Sequence, residues 1–134
     1  MKDNNDIFEF ARDIIPYNRS VVSTDVLKTL KKIKTKIKKL KIIKVRSGSK
    51  IFDWKIPYEW KAISAKIFDK NNNVIINYKK NNLHLVSHSI KFNKFLKLNE
   101  LKKKLYFIKE KPSAIPYRTT YYKKDWGICI SYNQ

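Results

Sequence analysis

The sequence predicts an α+β fold, in which two amphipathic helices come first and a β-rich region follows from about Lys41. Before that point, apolar side chains recur every three or four positions, which is the period of a helix with one buried face. After it, the period shortens toward two, as in strands with one buried face. Polar, turn-forming runs such as Asp-Lys-Asn-Asn-Asn at residues 69–73 separate the apolar stretches.

The first predicted helix carries its apolar side chains in residues 7–15 and stops at Pro16, because proline fits only the first turn of a helix. The second begins at Ser23 or Thr24, and its apolar positions in residues 27–40 share one face. Lysine is the commonest residue on the rest of its surface, which is typical of a solvated helix face.

The predicted β-rich region is mostly antiparallel and contains short strands and one short helix. Residues 74–78 are expected to pair with residues 62–68 as a hairpin, because a turn-forming run lies between them. A short amphipathic helix is expected near residues 98–106. The other predicted strands lie at residues 42–46, 83–90, 117–122 and 128–132.

The composition limits the classes of function that the chain can serve. Apolar residues make up 43% of the 134 residues, which is enough for a folded core. The formal net charge is +20, but 27 of the 31 basic residues are lysines, whereas specific nucleic-acid readout relies on the forked donors of arginine. The charge therefore predicts weak, salt-sensitive attraction to polyanions and no specific nucleic-acid partner.

Cysteine usage and hydropathy predict a cytoplasmic protein. The single cysteine, Cys129, excludes an internal disulfide framework. No apolar run approaches the roughly 20 residues that a membrane-spanning helix needs. The polar start of the chain does not resemble a signal peptide. We therefore expect no membrane span.

No complete catalytic or metal-binding constellation is visible in the sequence, so neither kind of site is predicted in this chain. His84 and His88 are the two histidines. On a strand they would lie about 13 Å apart, too far for two ligands of one zinc ion, so structural or surface roles are expected. Cys129 lies in an apolar run and is expected to be a buried small side chain rather than a nucleophile.

Two further groups of residues leave alternatives open. Three acids flank tryptophan and could be acid–base groups, namely Asp53, Glu59 and Asp125. The expected role is structural instead: Asp53 or Asp125 bonds nearby backbone amides in a turn. Arg118 stands between Pro-Tyr and Thr-Thr, where its guanidinium could clamp a carboxylate or make a structural ion pair with a nearby acid. Five aromatic residues could form core or a stacking platform for bases or sugars: Trp54, Trp60, Tyr121, Tyr122 and Trp126.

Five motifs occur in a fixed order along the chain. They are Pro-Tyr-Asn-Arg-Ser at residues 16–20, Ser-Gly-Ser-Lys-Ile-Phe-Asp-Trp and then Ile-Pro-Tyr-Glu-Trp in residues 47–60, Asn-Leu-His-Leu-Val-Ser at residues 82–87, Ile-Pro-Tyr-Arg-Thr-Thr-Tyr-Tyr at residues 115–122, and Trp-Gly-Ile-Cys-Ile-Ser at residues 126–131. Together they resemble the N-terminal part of bacterial aminopeptidase-like proteins. Those proteins are zinc exopeptidase-like and carry an inserted β-rich domain of unknown function.

The resemblance implies a larger α/β/α fold of which this chain supplies a part. Residues 1–45 would be the N-terminal helical part with one strand of the larger sheet, residues 46–127 the inserted β-rich module, and residues 128–134 the return to the catalytic core. In this family the metal ligands lie downstream of the matched segment, so zinc is expected for the full-length protein, with no ligand in this chain. Members are often associated with surface-polysaccharide or modified-sugar gene clusters, which implies a peptide-like or modified-sugar-related substrate.

Two departures from the family pattern are visible. Residues 21–25 are Val-Val-Ser-Thr-Asp where the family has a glycine-containing loop, and Lys91-Phe92 stand where proline is common. The lost glycines are the residues that most easily take left-handed backbone conformations. Together with the short length, these departures suggest a fragment, a split gene or a degraded copy.

We therefore expect the N-terminal part of an aminopeptidase-like metallohydrolase, catalytically silent alone, which shapes a substrate entrance or an oligomer contact. The candidate substrate-facing residues are Asn18, Arg19, Ser20 and Arg118. The partner would be a second copy or a downstream catalytic segment, and the apolar stripes of the first helices would be exposed in the chain alone. The alternatives are a non-catalytic β-rich binding or oligomerisation module and a weak basic nucleic-acid binder.

Overall fold

The computed structural model describes residues 3–134, with side chains from Asp6 onward. The first two residues of the predicted N-terminal part, 1–45, lie outside the described residues. The chain divides into two compact units, Met1–Lys61 and Ala62–Gln134. Both contain helices and short strands, which confirms the broad α+β prediction. A larger sheet, and the division into residues 1–45, 46–127 and 128–134, stay predictions.

The first unit opens with two helices, α1 (Asp3–Ile14) and α2 (Thr24–Lys36). The end of α1 before Pro16 and the start of α2 are as predicted, since proline has no N–H to continue a helical ladder. α2 stops four residues before the predicted end, with Ile37 outside the helical region at φ −112°. A continued helix would stack lysines on adjacent turns, where like charges destabilise it.

Two ion pairs connect α2 to α1. The distance from Lys32 Nζ to Asp13 Oδ2 is 2.7 Å, and that from Lys36 Nζ to Asp6 Oδ1 is 3.3 Å. The hydrogen bond between the first two side chains lowers the pKa of Asp13 and raises the pKa of Lys32. Because these charges lie in water, the two ion pairs contribute little to stability.

The Ser-Gly-Ser motif leads into a tight hairpin, β1 (Lys50–Ile51) antiparallel to β2 (Trp54–Lys55). Gly48 takes the left-handed conformation at φ 85°, and its N–H donates to the carbonyl of Ile56 at 2.7 Å, a backbone shape that suits glycine. Residues 42–46 pair with no other strand in the described part of the chain, so the strand predicted there is absent. Without a partner strand among the described residues, no ladder of backbone hydrogen bonds forms there.

The second unit begins with a hairpin, β3 (Lys66–Phe68) antiparallel to β4 (Val74–Asn77). The pairing confirms the predicted hairpin, although β3 starts four residues later than the predicted strand. The Asp69 carboxylate closes the turn by accepting from the N–H groups of Asn71 and Asn73, both at 2.8 Å. The side-chain amide of Asn73 also donates to this carboxylate at 2.9 Å. All three hydrogen bonds lower the pKa of Asp69, and the one from the Asn73 side chain has the largest effect.

The centre of the second unit is a parallel pair of short strands, β5 (Leu105–Tyr106) and β6 (Ile128–Cys129). The other two sheets in residues 3–134 are antiparallel. Isolated bridges attach two further segments, one from Leu85 to Ile128 and one from Ser87 to Thr119. α3 (Leu98–Lys102) precedes β5 and confirms the predicted short helix.

The strands predicted at residues 83–90 and 117–122 are wrong. Asn82–His84 is a single turn of 3-10 helix, because Asn81 Oδ1 accepts the N–H of Leu83 at 3.0 Å and so favours a turn over extended backbone. His88, at φ 64°, interrupts the segment again. In residues 117–122 the pairing is limited to the bridge at Thr119, and the predicted strand at residues 128–132 is the two-residue β6.

The core of the second unit closes around Gly127. Five apolar side chains of this unit are buried: Ile76, Val86, Pro116, Ile128 and Cys129. A Cβ added at Gly127 would lie 2.7 Å from Tyr106 Cε2, 3.0 Å from Val86 Cγ2 and 3.2 Å from the Lys104 carbonyl oxygen. The position therefore holds a glycine for lack of space, not for a special backbone angle.

Gly127→Ala should destabilise the protein by about 1–3 kcal/mol, as overpacking of a closed core does. The midpoint of urea unfolding, followed by far-UV circular dichroism, should fall, while Lys109→Ala at an exposed position leaves it unchanged. A midpoint for Gly127→Ala equal to that of the parent would show that the core has room for the methyl group.

Candidate functional site

The candidate residues Asn18, Arg19 and Ser20 lie in the loop between α1 and α2. The backbone N–H of Asn18 donates to Asp25 Oδ2 at 2.9 Å, and the Asn18 side-chain oxygen accepts the N–H of Ser20 at 3.3 Å. Ser23 Oγ donates to the Asn18 carbonyl at 2.9 Å instead of capping α2. These hydrogen bonds hold the loop against the start of α2.

The side chains of Arg19 and Ser20 face different surroundings. The Arg19 guanidinium is exposed and donates to the carbonyl of Ile14 at the end of α1, where a cation is favoured by the helix dipole. Ser20 is 3% exposed, and its Oγ has no hydrogen-bond partner among the described residues. Arg19 therefore completes a helix end, whereas the Ser20 hydroxyl is a buried polar group with unused bonding capacity.

Val22 lies within residues 21–25, where the resemblance implies a glycine-containing loop. It takes the left-handed conformation at φ 57°, which costs a β-branched residue about 1–3 kcal/mol. Its carbonyl accepts the N–H of Trp60 at 2.9 Å, and the neighbouring Ser23 forms a bridge with the same tryptophan. The loop thus keeps a glycine-like shape without glycine.

Arg118, the fourth candidate residue, lies in the second unit. Its carbonyl accepts the N–H of Ser87 at 2.9 Å, and its backbone also hydrogen-bonds the thiol of Cys129. The guanidinium is exposed and lies 5.7 Å from the centre of the Tyr106 ring. The backbone of Arg118 is therefore fixed by hydrogen bonds. None of the ion pairs within residues 3–134 includes Arg118, so its charge is open to an anion.

His84 is a buried structural side chain. It is 6% exposed, and its Nδ1 lies 2.8 Å from the carbonyl oxygen of Cys129. A carbonyl only accepts, so Nδ1 carries the proton and donates it. The ring thereby ties the 3-10 turn to β6 across 45 residues of sequence.

His88 belongs to an aromatic cluster. Its ring meets Tyr121 edge-on with centroids 5.0 Å apart, and Tyr121 meets Tyr122 in the same way at 4.7 Å. Burial raises the pKa of Tyr121, and Tyr122 adds to the shift. Within the described residues, no three His, Cys, Asp or Glu side chains group closely enough to hold a metal ion.

Cys129 is fully buried, as predicted for a small core residue. Burial raises the pKa of its thiol to about 11, against the opposing effects of the Arg118 charge and backbone hydrogen bond. The thiol is therefore protonated at neutral pH. Because thiolates and not thiols attack electrophiles and bind metals, Cys129 is suited to packing and not to catalysis.

Several hydrogen bonds meet at the Ser87 carbonyl, and we call this the Ser87 junction. It was not predicted from the sequence. Ser87 is 1% exposed, and its carbonyl accepts from the Thr120 N–H at 2.9 Å. The hydroxyls of Thr119 and Thr120 donate to the same carbonyl at 3.3 Å and 3.2 Å. The adjacent threonines that follow Arg118 were the available signal, since their hydroxyls can satisfy a buried carbonyl.

Asp125 bonds a backbone amide in a turn, as predicted. Its Oδ1 accepts the N–H of Trp126 at 2.8 Å and lies 2.5 Å from Lys104 Nζ. The hydrogen bond from Lys104 is the main reason why the pKa of Asp125 is lowered. The Trp126 ring stacks on Phe92 with centroids 4.2 Å apart, so these side chains serve as packing around the turn.

Replacing His84 should test the buried hydrogen bond to β6. His84→Leu should cost about 1–3 kcal/mol of unfolding free energy, because the Cys129 carbonyl loses this donor. His84→Asn should recover part of the loss, since an amide N–H can donate from nearly the same place. Urea unfolding measures both variants, and equal losses in the two would show that the ring acts only by its volume.

The thiol of Cys129 should make stability depend on alkaline pH. Its pKa in the folded state, about 11, lies above the ordinary value of 9.0, so the unfolded chain releases the proton first. Stability should therefore fall as the pH rises from about 9 to 11, by about 1–3 kcal/mol more than in Cys129→Ala. Urea unfolding at several pH values measures the difference between the two proteins, which lysine titration affects equally; parallel pH profiles would contradict the raised pKa.

Similarity to known proteins extends over nearly the whole chain. A protein of Clostridium acetobutylicum, named provisionally as a polysaccharide biosynthesis protein with an aminopeptidase-like domain, is 36% identical over 129 residues, which is 96% of this chain and 30% of that protein. A crystal structure described provisionally as a peptidase, also from Clostridium acetobutylicum, matches with a TM-score of 0.93 and 36% identity over 98% of this chain and 31% of its own. The resemblance to aminopeptidase-like proteins is thus confirmed, and this chain spans less than a third of those relatives.

No helix within residues 3–134 is both long and apolar enough to cross a membrane.

The family match lies in the second half of the chain. Residues 59–134 match the family described as a domain of unknown function, DUF2172. These residues include the Ser87 junction, Arg118 and the buried His84–Cys129 pair. The chain therefore belongs to the DUF2172 family.

Proposed function

We propose that this chain is a non-catalytic part of an aminopeptidase-like protein and shapes the entrance to its substrate site. The observation that carries the proposal is the close structural match over 98% of this chain to a protein described as a peptidase, of which it covers 31%. The peptidase-like character of the relatives supports the first part of the proposal, that the chain is part of an aminopeptidase-like protein. Its role at the substrate entrance is our inference.

Arg118 is the residue that we assign to substrate. Its backbone is anchored to buried Ser87 and Cys129, and no carboxylate of the described residues neutralises its guanidinium. A guanidinium held in this way offers forked donors to a carboxylate or another anionic group. Asn18, Arg19 and Ser20 would orient the loop after α1, where the Ser20 hydroxyl is buried and has no hydrogen-bond partner among the described residues.

Zinc, which the resemblance implies for the full-length protein, does not fit the residues of this chain. Within the described residues no three His, Cys, Asp or Glu side chains lie close enough together to hold a metal ion, and the Cys129 thiol is held protonated by burial. A zinc ligand must be deprotonated and grouped with others at close range. We propose that any metal is held by residues outside the matched segment, and that this chain is silent as a hydrolase.

The substrate and the compartment are also proposals. The name of the Clostridium acetobutylicum relative refers to polysaccharide biosynthesis and to an aminopeptidase-like domain, which supports a peptide-like or modified-sugar-related substrate. A single reduced cysteine supports a cytoplasmic location. The family match to residues 59–134 alone favours a second candidate, in which the second unit is a binding or oligomerisation module. The net charge of +20 supports only weak attraction to nucleic acid.

A chimera tests the proposed function. This chain would replace the matching segment of the Clostridium acetobutylicum relative, and hydrolysis of a panel of aminoacyl-p-nitroanilides would be measured with zinc added. The chain alone should be inactive and the chimera active. Arg118→Ala in the chimera should lower kcat/KM by about tenfold, because a charge-assisted hydrogen bond is lost.

The matched control is Lys123→Ala, an exposed cation in the same segment, which should leave kcat/KM unchanged. Zinc-dependent hydrolysis by this chain alone would refute the non-catalytic role. Equal kcat/KM for the parent and Arg118→Ala chimeras would remove Arg118 from the substrate site. An active relative and an inactive but folded chimera would count against the entrance role.

A further inference from the structure

The first unit buries very little apolar surface. Among the side chains described in residues 6–61, Ile56 is the one apolar side chain that is buried. The remaining buried side chains of this unit are polar, namely Ser20, Ser23 and Thr29. Apolar burial is the main favourable term in folding, so a unit with this composition needs a further apolar contact to be stable.

Several large apolar side chains at and beyond the helices are exposed instead. Ile7 and Phe8 on α1 are 66% and 62% exposed, and Ile37 at the end of α2 is 54% exposed. The ion pair between Lys36 and Asp6 brings the end of α2 to the start of α1. Ile43, beyond α2, is 84% exposed. We call Ile7, Phe8, Ile37 and Ile43 the helical apolar surface.

The surface area of the chain points the same way. The accessible surface is 11331 Å² for a mass of 16.1 kDa. Two separate compact units of this total mass would expose roughly 8,900 Å² by the usual scaling of area with mass. The excess is larger than the roughly 800 Å² that each partner buries in a standard interface, and exposed apolar side chains of both units contribute to it.

The occupant of this surface can be named from the comparisons. The first unit lies almost entirely outside the family match at residues 59–134. It lies inside the 96% of the chain that the aminopeptidase-like relative matches. The fold of this chain is found inside a peptidase-like chain that extends well beyond the match, at a TM-score of 0.93.

We propose that the helical apolar surface binds an aminopeptidase-like polypeptide of the kind that makes up the rest of the Clostridium acetobutylicum relative. The proposal rests on the proposed function and names the partner that it requires. The contact would be apolar at its centre. Exposed lysines surround the end of α2, so the complementary face should carry carboxylates around an apolar patch.

Cysteine labelling tests the proposal. Ile43→Cys would place a reactive thiol on the helical apolar surface, while native Cys129, fully buried and protonated, should stay silent and so report that the second unit is folded. Maleimide labelling rates would be compared between this chain alone at low concentration and the chimera described above. Labelling of Ile43→Cys should be about tenfold slower or more in the chimera, because local opening must precede reaction.

The matched control is Lys70→Cys, in the exposed turn between β3 and β4, which should label at the same rate in both proteins. Equally fast labelling of Ile43→Cys in a folded chimera would overturn the proposal. Slow labelling in this chain alone, deepening with concentration and accompanied by a dimer in sedimentation velocity, would assign the surface to a second copy and overturn it too.

A chimera that fails to fold would show itself by a reactive Cys129. The same comparison is then made in the full-length relative, with cysteines at the positions aligned with Ile43 and Lys70. Slower labelling at the first position supports the proposal, and equal rates overturn it. A protected Ile43→Cys in an inactive chimera would reject the proposed function alone, whereas a reactive one in an active chimera would reject the docking surface alone.

Discussion

The second unit depends on hydrogen bonds that reach the buried segment around Val86 from two distant parts of the chain. The His84 ring holds the Cys129 carbonyl, and the Ser87 carbonyl gathers donors from Thr119 and Thr120. Without these bonds the two-residue strands would have too few ladder contacts to persist. Hydrogen bonds from side chains and from irregular backbone thus connect the segments of this unit, as long strand ladders do in larger sheets.

This constraint also explains how a flexible cation can become a defined feature. The backbone of Arg118 is fixed where the chain passes Ser87 and Cys129, so the point from which its side chain extends is held in place. Less backbone conformational entropy is then lost when the guanidinium binds an anion. In the first unit the loop after α1 is fixed differently, by the Asp25 carboxylate and by Val22 in a strained conformation.

The helices and the β3–β4 hairpin could be predicted because their signals are local: apolar periodicity, Pro16 as a stop, and the turn closed by Asp69. The alternating apolar pattern of residues 83–90 predicted a strand, but this pattern only reflects which side chains are buried. The backbone conformation there is set by side-chain hydrogen bonds, which override the strand preference. The candidate Arg118 was visible as an isolated arginine. Its supports at Ser87 and Cys129 are distant in sequence and could not be seen from composition or spacing.

The tryptophans are divided between the units, and this has a spectroscopic consequence. Trp54 and Trp60 lie in the first unit, whereas Trp126 lies in the second, stacked on Phe92 with Lys104 Nζ 5.9 Å from its ring. Indole emission responds to nearby charge and to water. Trp126 and the other two therefore see different surroundings, and the native chain carries separate optical reporters for its two halves without any added dye.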